Sequence, residues 1–170
     1  MIKREFPCAM TIAGSDSCGG AGVEADLKTF AALGVFGTCA ITAITAQNTQ
    51  RVYDILPIPP RMVERQIEAV LEDIPVKAAK TGMLYSKEIM DVVAEAIDRH
   101  KLRVIVDPVF RAGTGNFLIR EENKEALVET VVPRSFIVTP NKHEAEDIAQ
   151  MKIKTIEDMK KESSSIARLG

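Results

Sequence analysis

Apolar positions along this chain alternate between two rhythms. Short apolar, largely β-branched runs occur at residues 8–13, 35–45, 76–79, 104–106 and 136–139. Runs of this length, bounded by glycine, proline or polar residues, predict buried strands. Between them the spacing becomes helical. Val23, Leu27, Phe30 and Leu33 form one stripe, and Met62, Val63, Gln66, Ile67, Val70 and Leu71 form a second. Ile89, Val92, Val93, Ala96 and Ile97 form a third, with Ser86 placed to cap it. Ala126, Leu127 and Val131 predict a shorter helix ended by Pro133, which has no N–H to continue the ladder. Asn141 follows Pro140 and is placed to cap a helix running to about Gln150. Residues 51–60, with Pro57, Pro59 and Pro60, break the pattern and read as a surface connection or a small edge strand. Repeated strand–helix alternation predicts an α/β fold, a mostly parallel sheet with helices on both faces. No composition shift or repeat divides residues 1–170, so one domain is expected.

Composition narrows the function classes. Apolar residues make up 46% of the 170, enough for a core, and no run approaches the ~18 residues of a membrane span. Basic and acidic residues nearly cancel, 22 against 24, which gives no sign of a nucleic-acid or membrane partner. Cys8, Cys18 and Cys39 form no paired motif. Scattered thiols of this kind suit a reducing, cytoplasmic compartment, and Cys8 and Cys39 read as small apolar filler.

In a parallel sheet of this type ligands bind beyond the carboxyl ends of the strands. The first strand is followed by a glycine-rich loop through Gly14, Gly19, Gly20 and Gly22, whose N–H groups and helix N-terminus suit an anion or polar ligand. Its spacing is not that of a dinucleotide fingerprint. Later strands are followed by Gln47-Asn48, by Lys80-Thr81-Gly82-Met83, by Asp107-Pro108-Val109 and by Asn141-Lys142-His143-Glu144. Each position has a plain structural reading as well. Gln47 and Asn48 fit a turn cap, Asp107 a turn, and Asn141 with Glu144 a capping box. Functionally, a glutamine amide matches the edge of a heteroaromatic ring. Asp107, Asn141 and Glu144 offer oxygen ligands for Mg²⁺, directly or through water. Lys80 and Arg111 could meet phosphate or be solvated, and His143 reads as an exposed helix residue.

The segments Ala13-Gly14-Ser15-Asp16, Gly19-Gly20-Ala21-Gly22, Ala25-Asp26-Leu27-Lys28-Thr29-Phe30, Ala46-Gln47-Asn48-Thr49, Lys80-Thr81-Gly82-Met83-Leu84, Val106-Asp107-Pro108-Val109 and Thr139-Pro140-Asn141 occur in order along the chain. In this combination the chain resembles hydroxymethylpyrimidine/phosphomethylpyrimidine kinases, members of the ribokinase-like superfamily that make the pyrimidine half of thiamine diphosphate. The resemblance implies a ribokinase-like fold and phosphoryl transfer from Mg·ATP to a hydroxymethylpyrimidine or its monophosphate. It implies that Gln47 hydrogen-bonds the aminopyrimidine, that Gly14, Met83 and Val109 line its pocket and that Asp26 is nearby. Asp107, Asn141 and Glu144 would lie on the Mg·ATP side, with Asp107 and Glu144 as metal ligands. A homodimer is the family's habit.

The sequence departs from the family pattern at Ser17-Cys18 and at Phe110-Arg111-Ala112-Gly113-Thr114-Gly115. Gly113-Thr114-Gly115-Asn116 mimics the superfamily's anion-hole motif but follows the Asp107 strand, too early in the chain. Family members continue past the point where Gly170 stands, and their anion hole and catalytic residue lie there. The expectation is therefore a C-terminally truncated domain, poor in catalysis, with no catalytic residue of its own. Two alternatives stay open: a pyridoxal-type vitamin kinase, and a non-catalytic pyrimidine-binding domain.

Overall fold

The computed structural model describes residues 6–110 and 121–170. β1 (Cys8–Asp16) forms the centre of a six-stranded sheet with β2 (Phe36–Gln47), β3 (Val52–Pro57), β4 (Val76–Thr81), β5 (Val104–Val106) and β6 (Ile137–Val138), ordered β3-β2-β1-β4-β5-β6. All neighbours pair in parallel except β3, which lies antiparallel to β2 at one edge. Within residues 51–60, Val52–Pro57 thus forms the edge strand, and Pro60 opens the next helix, where its missing N–H costs nothing. The helices are α1 (Gly22–Ala32), α2 (Pro60–Asp73), α3 (Lys87–His100), α4 (Glu121–Ala126), α5 (Lys142–Ala149) and α6 (Ile156–Ile166).

Alternation along β1 covers both faces of the sheet. Met10 and Ile12 are fully buried and join Val63 and Ile67 of α2, Ile89 and Val93 of α3, and Val104 and Val106 in one core. Thr11 points the other way and donates its hydroxyl to Asp26 of α1 at 2.6 Å. On that face Leu27 and Phe30 of α1 cover Gly37, where a Cβ would collide with both side chains. Because β3 pairs only with the far end of β2, Ile41 has no strand partner on that side. Gln66 of α2 replaces one: Ile41 N–H donates to its Oε1 at 2.9 Å, and its Nε2 donates to Ile41 O at 3.0 Å.

Several elements differ from the expectation. Leu33 caps α1 exposed to solvent, and Met62 lies outside the buried stripe of α2. Near Pro133 the chain forms α4, then a π-helical turn (Leu127–Val131), then a 3₁₀ turn (Val132–Arg134). The π turn lets Leu127 and Val131 both reach the core before proline ends the ladder. Ser86 caps α3, accepting from Ile89 N–H at 3.4 Å. Strands β1, β2 and β4 run past their apolar residues into Gly14-Ser15-Asp16, Ala46-Gln47 and Lys80-Thr81. Those extensions carry the polar groups to one edge. Arg111 and the segment 113–116 lie outside the described residues.

Candidate functional site

The glycine loop is organised by one carboxylate. Asp16, only 3% exposed, accepts from Cys18 N–H at 2.9 Å, Gly20 N–H at 3.0 Å and Ala21 N–H at 2.8 Å. The Cys18 thiol also donates to it at 3.3 Å. Burial pushes the Asp16 carboxyl up, but hydrogen bonds from Cys18 and Ala21 outweigh burial and hold it below its ordinary value. The sequence suggested a loop of free N–H groups for an external anion. The structure corrects that: three of them are already spent on Asp16. Glu24, in the first turn of α1, accepts from Ser15 Oγ at 2.6 Å and from Asp16 N–H at 2.7 Å, pinning the strand end from the other side. Gly22 has φ +61°, and a Cβ there would run into the Gly14 carbonyl. Only glycine allows this approach of helix to strand.

Beyond the carboxyl ends of β1, β2, β4 and β5 lies a cavity of about 250 Å³. Gly14, Asp26, Gln47, Met83, Val109 and Asp107 all line it, so six residues expected at a site from sequence are brought together. Its floor is made by Gly14 and Met83. A Cβ on residue 14 would collide with the Met83 methyl, so the glycine leaves room for that side chain. Gln47 is held by its backbone: Ser17 Oγ donates to Gln47 O at 2.7 Å and accepts from Gln47 N–H at 2.9 Å. Asn48 proves to be a turn residue, its Oδ1 accepting from Gln50 and Arg51 N–H between β2 and β3.

Lys80 crosses the cavity wall. Its Nζ lies 3.1 Å from Asp26 Oδ2 and 3.6 Å from Asp107 Oδ2, one positive charge between two negative ones. A Cβ at residue 82 would crowd that ammonium and Ala13, which accounts for Gly82. Lys80 is therefore engaged by two carboxylates while a quarter of its side chain stays exposed. Burial raises the Asp107 carboxyl above its ordinary value, Lys80 opposes that, and the Asp26 charge adds to it.

Asn141 and Glu144 do not line the cavity. They close a capping box on α5: Asn141 Oδ1 accepts from His143 N–H at 2.9 Å and Glu144 N–H at 3.1 Å, and Glu144 Oε2 accepts from Asn141 N–H at 2.8 Å. The Asn141 side-chain oxygen is spent on the cap. Glu144 is buried, and burial raises its carboxyl, with the Asp107 charge adding to the rise. A carboxyl raised by burial and by a neighbouring negative charge is a donor that a divalent cation would relieve. Among the described residues no group of three or more His, Cys, Asp or Glu could hold a metal by itself. Asp107 and Glu144 thus fit Mg²⁺ only together with water or phosphate oxygens.

Asp16 and Thr45 also line the cavity without a role assigned from sequence. For Asp16 the signal was present, an aspartate directly ahead of a glycine-rich helix start, where its carboxylate can bond nearby N–H groups. His143 is exposed, as expected, and Cys18 is exposed beside the loop.

A model of the phosphomethylpyrimidine kinase family matches residues 16–170. The hydroxymethylpyrimidine/phosphomethylpyrimidine kinase of Bacillus subtilis is 47% identical over 163 residues, which cover 95% of this chain and 60% of that protein. Among solved structures, a phosphomethylpyrimidine kinase from Clostridium difficile superposes with a TM-score of 0.91 at 45% identity, covering 96% of this chain and 71% of that one. A pyridoxal kinase from Staphylococcus aureus, solved with AMP-PCP and pyridoxal, gives a TM-score of 0.84 at 37% identity over 98% of this chain and 60% of its own. The chain spans roughly 60% of the length of the curated relatives it matches.

Proposed function

Because the chain belongs to the phosphomethylpyrimidine kinase family, we propose that it holds the acceptor in phosphoryl transfer from ATP to a hydroxymethylpyrimidine or its monophosphate, a step of thiamine biosynthesis. The observation that carries this reading is the convergence of Gly14, Gln47, Met83 and Val109 from four strand ends on one cavity, with Asp26 of α1 beside them. An amide facing a slot between small and apolar groups suits a flat ring with hydrogen-bonding edges. Phosphoryl transfer asks chiefly for positioning and charge stabilisation, which strand ends and loops of this kind supply.

In this reading the ring lies over Gly14 and Met83, and Gln47 reads its edge. Asp26 is held by the Lys80 ammonium and the Thr11 hydroxyl. Asp107, at the end of β5, marks the border with the nucleotide side, and Glu144 lies behind it. A bound Mg²⁺ would neutralise phosphate charge there. The Staphylococcus aureus neighbour, solved with a nucleotide analogue, supports ATP as the donor.

Gln47→Ala tests the assignment. Removing one partner of a buried hydrogen bond costs about 1–3 kcal/mol, so affinity for hydroxymethylpyrimidine should fall roughly ten- to a hundredfold by calorimetry. Unchanged affinity would overturn the role of Gln47. A second reading, a pyridoxal-type kinase, draws on the pyridoxal-bound neighbour. Titration with pyridoxal decides between them: tighter binding of pyridoxal than of hydroxymethylpyrimidine favours the second.

A further inference from the structure

Among the described residues lining the strand-end cavity, Lys80 is the one cation, and it stands between two carboxylates. Lys80 pairs with Thr11 across β1 and β4, so both side chains project toward α1 and meet at Asp26. Asp26 Oδ2 accepts from Thr11 Oγ1 at 2.6 Å and from Lys80 Nζ at 3.1 Å, and Asp26 Oδ1 accepts from the same Nζ at 3.3 Å. From that anchor the ammonium reaches Asp107 Oδ2 at 3.6 Å. Asp107 is fixed by its backbone, whose N–H donates to Thr81 O at 3.1 Å. A Cβ on residue 82 would stand 3.1 Å from Nζ, so Gly82 keeps the space that the ammonium fills.

The two contacts are unequal. Lys80 is hydrogen-bonded to both oxygens of Asp26 but only ion-paired with Asp107, whose side chain is also the more exposed, 35% against 20%. The looser contact is the one a stronger cation takes first. We propose that Lys80 is a positioning residue that serves as the resident counter-charge of Asp107 and competes there with a divalent cation, so that the cation is held only when it arrives with phosphate oxygens. This rests on the reading of Asp107 as the border with the nucleotide side. A bare cation has to face the ammonium, and like charges a few ångströms apart repel strongly at partly buried sites. Phosphate brings negative charge and oxygen ligands of its own and tips the balance. The displaced ammonium stays on Asp26, so loading of the donor side is felt at the wall of the acceptor cavity.

Mn²⁺ is the probe, because its unpaired electrons broaden the amide signals of nearby residues in a ¹⁵N-labelled chain. Lys80→Met removes the charge and keeps the apolar stem. It should bind Mn²⁺ at least about tenfold more tightly than the native chain, read from broadening of the Asp107 and Val109 amides. Lys80→Arg restores the charge and should return to the native affinity. Adding Asp107→Asn to Lys80→Met should abolish the gain. A lysine that merely staples β4 to α1 would change the melting midpoint and leave Mn²⁺ affinity as it is. A folded Lys80→Met chain with native Mn²⁺ affinity therefore overturns the proposal. Should that variant fail to fold, the native chain decides. Broadening at Asp107 that sets in only once inorganic pyrophosphate accompanies Mn²⁺ supports the proposal, and equal broadening without pyrophosphate overturns it. No broadening at Asp107 in any chain under either condition contradicts the nucleotide-side reading of Asp107, and the proposal with it.

Discussion

Two glycines of the first loop lie against the same strand end, yet they resist substitution for different reasons. At Gly14 an added Cβ meets the tip of the flexible Met83 side chain, which can swing away at little cost. It would swing within the cavity. At Gly22 the same Cβ meets the backbone carbonyl of Gly14, and φ is +61°, where a side chain is strained by about 1–2 kcal/mol. Gly14→Ala should therefore lower pyrimidine affinity tenfold or more with a small change in thermal midpoint. Gly22→Ala should lower the midpoint by several degrees, since each kcal/mol moves it by roughly 2–4 °C in a chain of this size. Parallel melting and binding curves separate the two. Both glycines stood out in the sequence, but only the side chain opposite each one distinguishes a binding residue from a folding one.

At the scale of elements, most boundaries were legible because capping and periodicity are local. Ser86, Asn141 and Pro60 start helices as their chemistry dictates. The strand ends were less legible, since residues there are small or polar and carry no apolar period, though the sheet still pairs them. The capping box of α5 shows the remaining ambiguity: the same Asn141 and Glu144 fit a cap and a cation site, and the structure uses them as a cap. Asn141→Ala should cost about 0.5–2 kcal/mol in urea unfolding. Glu144 adds a pH dependence. Burial raises its folded carboxyl above the ordinary 4.5, so its contribution is fully present below the unfolded value and is lost as pH rises through the folded one. Stability of Glu144→Gln relative to the native chain should therefore improve from about pH 4 to pH 8. A constant difference between them would show that burial does not govern this carboxyl.

For the whole molecule, the order β3-β2-β1-β4-β5-β6 decides which strand ends meet. Strand–helix alternation in the sequence predicts parallel pairing but not neighbours. The meeting of Lys80 with Asp26, 54 residues apart, could not be read from either segment alone. The sheet also makes a larger apolar groove of about 470 Å³ beside its β6 edge, lined by Phe136, Ile137, Ile153, Met159 and Ile166. It collects no end of β1, β2, β4 or β5, and it is not the ring site proposed above. The two places can be told apart directly. Hydroxymethylpyrimidine added to the ¹⁵N-labelled chain should shift the backbone amide signals of Gly14, Gln47, Gly82, Met83 and Val109 in a saturable manner. The amides of Ile137, Ile153 and Met159 should stay in place. Shifts confined to the β6 groove, or no saturable shifts at any concentration that dissolves the ring, would contradict the assignment of the strand-end cavity as the pyrimidine site.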